Sequence, residues 1–290
     1  VKYNIIYKDS RKENNMQSIK TIYKIGPGPS SSHTFGPMMA SKYINKHYPD
    51  ASHFKITLFG SLALTGKGHL TDKIILKTLG ANKCEIIFDL KKEVEHPNTM
   101  IIEVFNDDTK IAQHTFVSIG GGKIEIDGKK GNVDPEIYPH TKMDDIQVYC
   151  NERHLRLDQY IDEVEGTEFD SYMNQIFKQM LKTVNTGLKK TGVLPGSLKI
   201  DRVAHALYQS AQSCSDIQDK NSLLLSSYAY AANEQNASGG IVVTAPTMGS
   251  CGVLPSLVYH FYHDQKYPKK TLIQGLKVAG LIGNLIQTNA

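Results

Sequence analysis

Ile119-Gly120-Gly121-Gly122-Lys123-Ile124-Glu125-Ile126-Asp127-Gly128-Lys129-Lys130-Gly131-Asn132-Val133-Asp134-Pro135-Glu136-Ile137-Tyr138-Pro139 is the stretch that divides the chain. Three consecutive glycines, an Asp-Gly, a Gly-Asn and two prolines gather turn and breaker chemistry into one short segment, which reads as turns followed by a linker. The boundary is expected near residue 145. On its N-terminal side, the apolar runs Phe54–Phe59, Cys84–Phe88 and Met100–Phe105 have the length and β-branched content of strands, interspersed with helical patterns. On its C-terminal side, segments near 168–190, 201–212, 221–237, 252–264 and 271–288 space their apolar residues at the 3.6-residue period. The expected architecture is therefore an α+β domain over residues 1–145, followed by an all-α domain over 146–290.

Composition narrows the class of partner. The chain has 290 residues, 40% hydrophobic and 21% charged, as in a globular protein large enough for two domains. A net charge of +4 with scattered lysines gives no footprint for nucleic acid or for an acidic membrane surface, so a small-molecule partner is expected. The four cysteines at 84, 150, 214 and 251 are far apart and no signal peptide opens the chain, which points to the cytoplasm. Thr271–Asn289 carries Gln274, Lys277, Asn284 and Gln287, too many polar groups for a membrane span. The first residue is Val, which suggests a processed or truncated start.

Chemistry concentrates in four places. Gly26-Pro27-Gly28-Pro29-Ser30-Ser31-Ser32-His33-Thr34 runs into a helical pattern over Met38–His47, so its hydroxyls and imidazole are expected at a helix N-terminus. That end can receive a carboxylate or phosphate, or it can be a plain N-cap with spare serines. Gly60-Ser61-Leu62 through Gly68-His69-Leu70-Thr71-Asp72 joins a strand to a helix. His69 could be a base oriented by Asp72, or a surface histidine beside a helix-start carboxylate. His96-Pro97-Asn98 reads by itself as a turn. In Gly249-Ser250-Cys251-Gly252 the cysteine follows a β-branched run and opens an apolar helix, where backbone N–H groups favour an anionic sulfur. A reactive thiol and a metal ligand are both open there, whereas Cys84, Cys150 and Cys214 sit in ordinary surroundings.

Taken in order, these segments resemble the bacterial iron–sulfur-dependent L-serine dehydratases (L-serine ammonia-lyases), in the single-chain form that joins a β domain to an α domain. The anchors are Gly28–Thr34, Gly60–Leu62 with Gly68-His69 and Thr71-Asp72, His96–Asn98, Ser118–Gly122, Gly192–Gly196, Asn233–Gly240 and Thr244–Pro255, spanning nearly the whole chain. The resemblance implies L-serine as ligand, a [4Fe-4S] cluster acting as Lewis acid, no pyridoxal phosphate, and conversion of serine to pyruvate and ammonium in amino-acid catabolism and gluconeogenesis. By that likeness Cys251 is a cluster ligand and His69 and His96 are candidate bases. Ser30, Ser31, Ser32, His33 and Thr34 face substrate, with Asn236, Ser238 and Thr247 close to the cluster loop. A homodimer is expected, and no nucleic-acid or membrane partner.

The chain departs from the family twice. Thr99 stands where the family usually has glycine after His-Pro-Asn, which puts a positive-φ backbone at the His96 loop in doubt. The family also continues beyond the position of Ala290 into a glycine-rich stretch with two further cluster cysteines, so a fragment, deficient in cluster, is expected. The last helix is expected to leave apolar surface uncovered. Two other readings stand beside the lyase. One is a serine-binding regulatory or partner subunit without its own cluster; the other is a hydrolase with Cys251 as nucleophile, for which no oxyanion motif is present.

Overall fold

The computed structural model describes residues 15–131, 134–196 and 198–290. Val1, and Asn132 of the Gly131-Asn132 turn signal, lie outside them. The N-terminal half contains β1 (Met16–Gln17), β2 (Ile25–Pro27), α1 (Gly36–His47), β3 (His53–Phe59), α2 (Gly60–Thr65), α3 (Thr71–Leu79), β4 (Cys84–Asp89), β5 (Thr99–Asn106), β6 (Thr109–Gly120), β7 (Lys123–Ile126), β8 (Lys129–Lys130) and β9 (Glu136–Tyr138). The C-terminal half is helical, with α4 (Met143–Glu152), α5 (Leu157–Glu165), α6 (Phe169–Gly187), α7 (Ala204–Ser213), α8 (Ile217–Ala237), α9 (Val253–His263) and α10 (Lys269–Asn289), interrupted by the short β10 (Ile241–Val243). The α+β then helical architecture expected from the sequence is the one observed.

Period-2 alternation explains the main sheet. Phe54, Ile56 and Leu58 of β3, and Met100, Ile102 and Val104 of β5, face one side and are buried against Ile44 of α1 and Ile75 and Leu79 of α3. Each such side chain withdrawn from water contributes roughly 1.5–3 kcal/mol to the fold. The strand order is β4-β3-β5-β6-β7-β8, with β3 and β4 parallel and the other pairs antiparallel.

The glycine-rich stretch is more ordered than a linker. Gly120, Gly121 and Gly122 all have positive φ and turn β6 into β7, and Gly122 leaves space that the Phe35 ring fills. Residues Lys123–Ile126 and Glu136–Tyr138 are strands in their own right, β9 pairing with β1 through Met16 and Tyr138.

The two halves interlock. β2 pairs antiparallel with β10, Ile25 opposite Val243 and Pro27 opposite Ile241. Ile19, Ile22 and Tyr23 are buried in the core of the helical half with Met173, Ile176, Phe177 and Leu281. The segment from Thr271 is a helix, as its spacing implies, and buries Ile273, Leu276, Gly280, Leu281 and Leu285 while Ile282 and Ile286 stay exposed. Among the described residues no helix is long and apolar enough to cross a membrane.

Candidate functional site

The Ser30–Thr34 segment is a hub rather than an open loop. Ser30 has extended backbone and its hydroxyl accepts from the His33 N–H, the N-cap arrangement. Ser31–Phe35 then form one π-helical turn that runs directly into α1. Such turns are rare and recur at functional sites. Winding the chain this way sends consecutive side chains to different neighbours. Ser31 Oγ accepts from the Met248 N–H at 3.1 Å, tying the turn to the cysteine loop. Ser32 Oγ lies 2.8 Å from His33 Nδ1, and His33 Nε2 lies 2.8 Å from Ser61 Oγ. Thr34 Oγ1 donates to the His69 carbonyl at 2.7 Å.

The His33 and His69 rings are 4.7 Å apart, tilted by 41°. Burial, and then the charge of His69, hold His33 below the ordinary imidazole range. Of the two sequence readings of Asp72, the helix-start carboxylate is the one observed, and His69 is not oriented by it. Asp72 Oδ1 instead accepts the Lys73 N–H, as a carboxylate in a first helical turn does. His69 Nδ1 faces the Thr65 carbonyl at 3.0 Å, and an acceptor there assigns the proton to Nδ1, leaving Nε2 with its lone pair. His69 lines a cavity of about 290 Å³ with Pro29, Leu194, Pro195, Ile200 and Ala237.

His96 is held by a different route. Gly60 has φ +51°, and a Cβ there would come within 2.6 Å of the Pro97 carbonyl oxygen, which instead accepts the Ser61 N–H at 2.7 Å. The Asn98 N–H donates to His96 Nδ1 at 3.0 Å, so a neutral His96 carries its proton on Nε2. Thr99 sits at the start of β5 opposite Val117, buried, with Oγ1 donating to the His96 carbonyl at 2.6 Å. Thr99 is absent from the residues with positive φ, in keeping with the doubt its sequence raised about such a backbone there. His96 lines a cavity of about 600 Å³ over the β5–β6 face, and the structure does not bring it into the cavity of His69.

The surroundings of Cys251 do not favour the anionic sulfur that its glycine-flanked loop suggested. It is fully buried among Phe35, Met38, Val242 and Met248, and burial pushes its thiol up to about 12. Its Sγ lies 3.6 Å from Asn233 Oδ1. The other thiols are elsewhere: Cys84 at the start of β4, Cys150 in α4 within the helical core, and Cys214 after α7. Among the described residues no group of three His, Cys, Asp or Glu side chains could hold a metal ion. A cubane requires three or four thiolates, so one buried thiol does not fit a [4Fe-4S] cluster by itself.

Of the remaining positions, Asn236 is buried at the end of α8 and its Nδ2 donates to the Pro29 carbonyl at 3.2 Å. Ser238 Oγ donates to the Glu234 carbonyl and accepts from Arg202 Nη2. Thr247 is exposed, 3.2 Å from Ser250 Oγ in the cysteine loop. The sequence reading passed over Ser61, although it quoted Gly60-Ser61-Leu62, and over the buried Arg202–Glu234 pair, 3.8 Å apart.

Residues 37–290 match the family model described as serine dehydratase alpha chain. L-serine dehydratase 2 of Escherichia coli (strain K12) is 32% identical, the match covering 95% of this chain and 72% of that protein. An L-serine dehydratase of Helicobacter pylori (strain ATCC 700392 / 26695) is 31% identical over 94% of this chain and 72% of its own length. One from Haemophilus influenzae (strain ATCC 51907 / DSM 11121 / KW20 / Rd) is 28% identical over 95% and 73%. With the family match extending over most of its length, the chain belongs to the serine dehydratase alpha chain family.

Proposed function

We propose that this chain is the substrate-binding and proton-abstracting part of an L-serine ammonia-lyase. The observation that carries the reading is the Ser30–Thr34 turn, which touches the cysteine loop through Ser31, Ser61 through His33 and His69 through Thr34. The names of the relatives supply the substrate. In this reading the hydroxyls of Ser30, Ser31 and Ser32 bind the serine carboxylate at the positive end of the Ser31–Phe35 turn, while Thr34 holds the His69 backbone, with Asn236, Ser238 and Thr247 on the facing wall.

His69 Nε2 takes the Cα proton. The electron pair left on Cα forms the Cα–Cβ double bond as hydroxide leaves Cβ, and the resulting enamine tautomerises and is hydrolysed to pyruvate and ammonium. The Thr65 carbonyl favours this role by holding the His69 proton on Nδ1. His96, with Nδ1 occupied as an acceptor, is by the same reasoning a donor through Nε2. The [4Fe-4S] cofactor belongs to the proposal in one respect: Cys251 is where this chain would ligate it, with further thiols from outside these residues. The proposal includes a division into a β-type domain over 1–145 and an α-type domain over 146–290, and a cytoplasmic homodimer.

The test is pyruvate release from L-serine by the purified chain after anaerobic reconstitution with iron and sulfide, run beside calorimetric titration with L-serine. Turnover supports the lyase. Saturable serine binding without turnover favours the alternative of a serine-binding partner subunit, a reading that the single thiol at the cysteine loop also supports. Neither binding nor turnover would overturn both.

A further inference from the structure

A second cavity lies behind the Ser30–Thr34 turn and meets the candidate site only at Thr34 and Ser238. It has a volume of about 420 Å³ and is walled by α1 and α3 on one side and by the Pro27-Gly28 and Ser238–Ile241 segments on the other. Three lysines line it: Lys42 from α1, and Lys73 and Lys77 from α3. Lys73 and Lys77 are four residues apart on one helix face, where like charges repel unless an anion lies between them. Among the described residues none of the three lysine side chains makes an ion pair or hydrogen bond. Among the described residues no carboxylate lines the cavity. Asp72, the nearest acidic neighbour along α3, gives its Oδ1 to the Lys73 N–H.

Beneath the lysines the lining is apolar, with Met38, Leu70 and Ile74. Thr34, Thr78 and Ser238 also line the cavity, their hydroxyls donating to the His69, Ile74 and Glu234 carbonyls. At Gly239 the two walls approach so closely that a Cβ would stand 3.0 Å from Leu70 Cδ1, and φ there is +74°. A pocket of this size, mostly apolar with convergent polar groups, is that of a small-molecule site. Three ammonium groups without counter-charge define the sign of its ligand.

We propose that this cavity binds a small organic polyanion, a phosphate ester or a di- or tricarboxylate, with its anionic groups at Lys42, Lys73 and Lys77 and its carbon body on Met38, Leu70 and Ile74. The assignment stands apart from the serine reading and survives if that reading fails. Because Thr34 lines this cavity and also holds the His69 carbonyl, the bound anion and the candidate active site share a wall.

Calorimetric titration of the chain with citrate, glycerol 3-phosphate and inorganic phosphate tests the proposal and separates its two ligand sources. Saturable binding of citrate or of glycerol 3-phosphate is expected, the tighter of the two naming the source, with affinity falling as salt is raised. In the Lys73→Gln/Lys77→Gln variant that binding weakens about tenfold, as two partly exposed charge contacts imply. Its thermal midpoint stays in place because both side chains are exposed. Lys42→Gln, on the other helix, weakens it independently. Binding of neither organic anion, binding unchanged in the variants, or binding of inorganic phosphate alone would overturn the proposal.

Discussion

At the scale of single residues, His69 and His96 differ in what their Nδ1 atoms meet: a carbonyl acceptor for the first and an N–H donor for the second. That contrast is why His69, rather than His96, is the base in the proposed elimination. Asparagine at position 69 keeps an N–H for the Thr65 carbonyl but has no basic nitrogen. His69→Asn is therefore expected to lower kcat by about 10²–10⁴-fold, with stability changed by no more than about 0.5 kcal/mol at this half-buried position; steady-state kinetics beside a urea melt checks both. Sequence adjacency suggested Asp72 as the orienting group and failed, because the first turn of α3 uses that carboxylate for its own backbone. Cys251 was misjudged for a related reason. Its glycine neighbours are local and visible, while the Phe35 and Met38 side chains that bury it come from the other half of the chain.

At the scale of elements, α10 is the clamp between the two halves. Gly280 is where α10 crosses the Ile19–Tyr23 segment, and a Cβ there would lie against Ile19 and 2.8 Å from Tyr23 Cε2. Gly275, on the same helix, has open space. Gly280→Ala is expected to destabilise by about 1–3 kcal/mol through overpacking, whereas Gly275→Ala stabilises by about 0.5–1 kcal/mol from helix propensity alone. Denaturant unfolding of the two variants separates these signs. The elements with long apolar periods, β3, β4, β5 and α6 to α10, were legible in the sequence. The β6–β7 hairpin was hidden by its own glycines, whose positive φ makes a tight turn between strands rather than a linker. The helices α4 and α5 were missed because charged residues such as Asp144, Asp145, Asp158 and Asp162 dilute their apolar stripe.

At the scale of the whole molecule, burial of phenols gives the helical half a defined response to alkali. Tyr23, Tyr138, Tyr160, Tyr172 and Tyr228 all have their pKa raised above the ordinary 10.0, chiefly by burial. The folded state thus keeps them neutral while the unfolded chain ionises near pH 10, so their contribution to stability is complete below that pH and is lost as pH rises above it. Thermal melts across that range are expected to show a falling midpoint, with phenolate absorbance appearing together with unfolding; absorbance that rises well before unfolding would contradict the burial argument.

The joint between the halves also has a bearing on the order of events as the chain is made. Thr244 Oγ1 donates to the Ile22 carbonyl across 222 positions, next to the β2–β10 pairing. Contacts so distant along the chain carry a large loop-closure cost and form late. During synthesis the β3–β5 sheet can close as soon as it leaves the ribosome, but the strand that docks Ile25–Pro27 emerges only after α8. The Ser30–Thr34 turn must wait for it, so the nascent protein has a folded scaffold well before its candidate site is assembled.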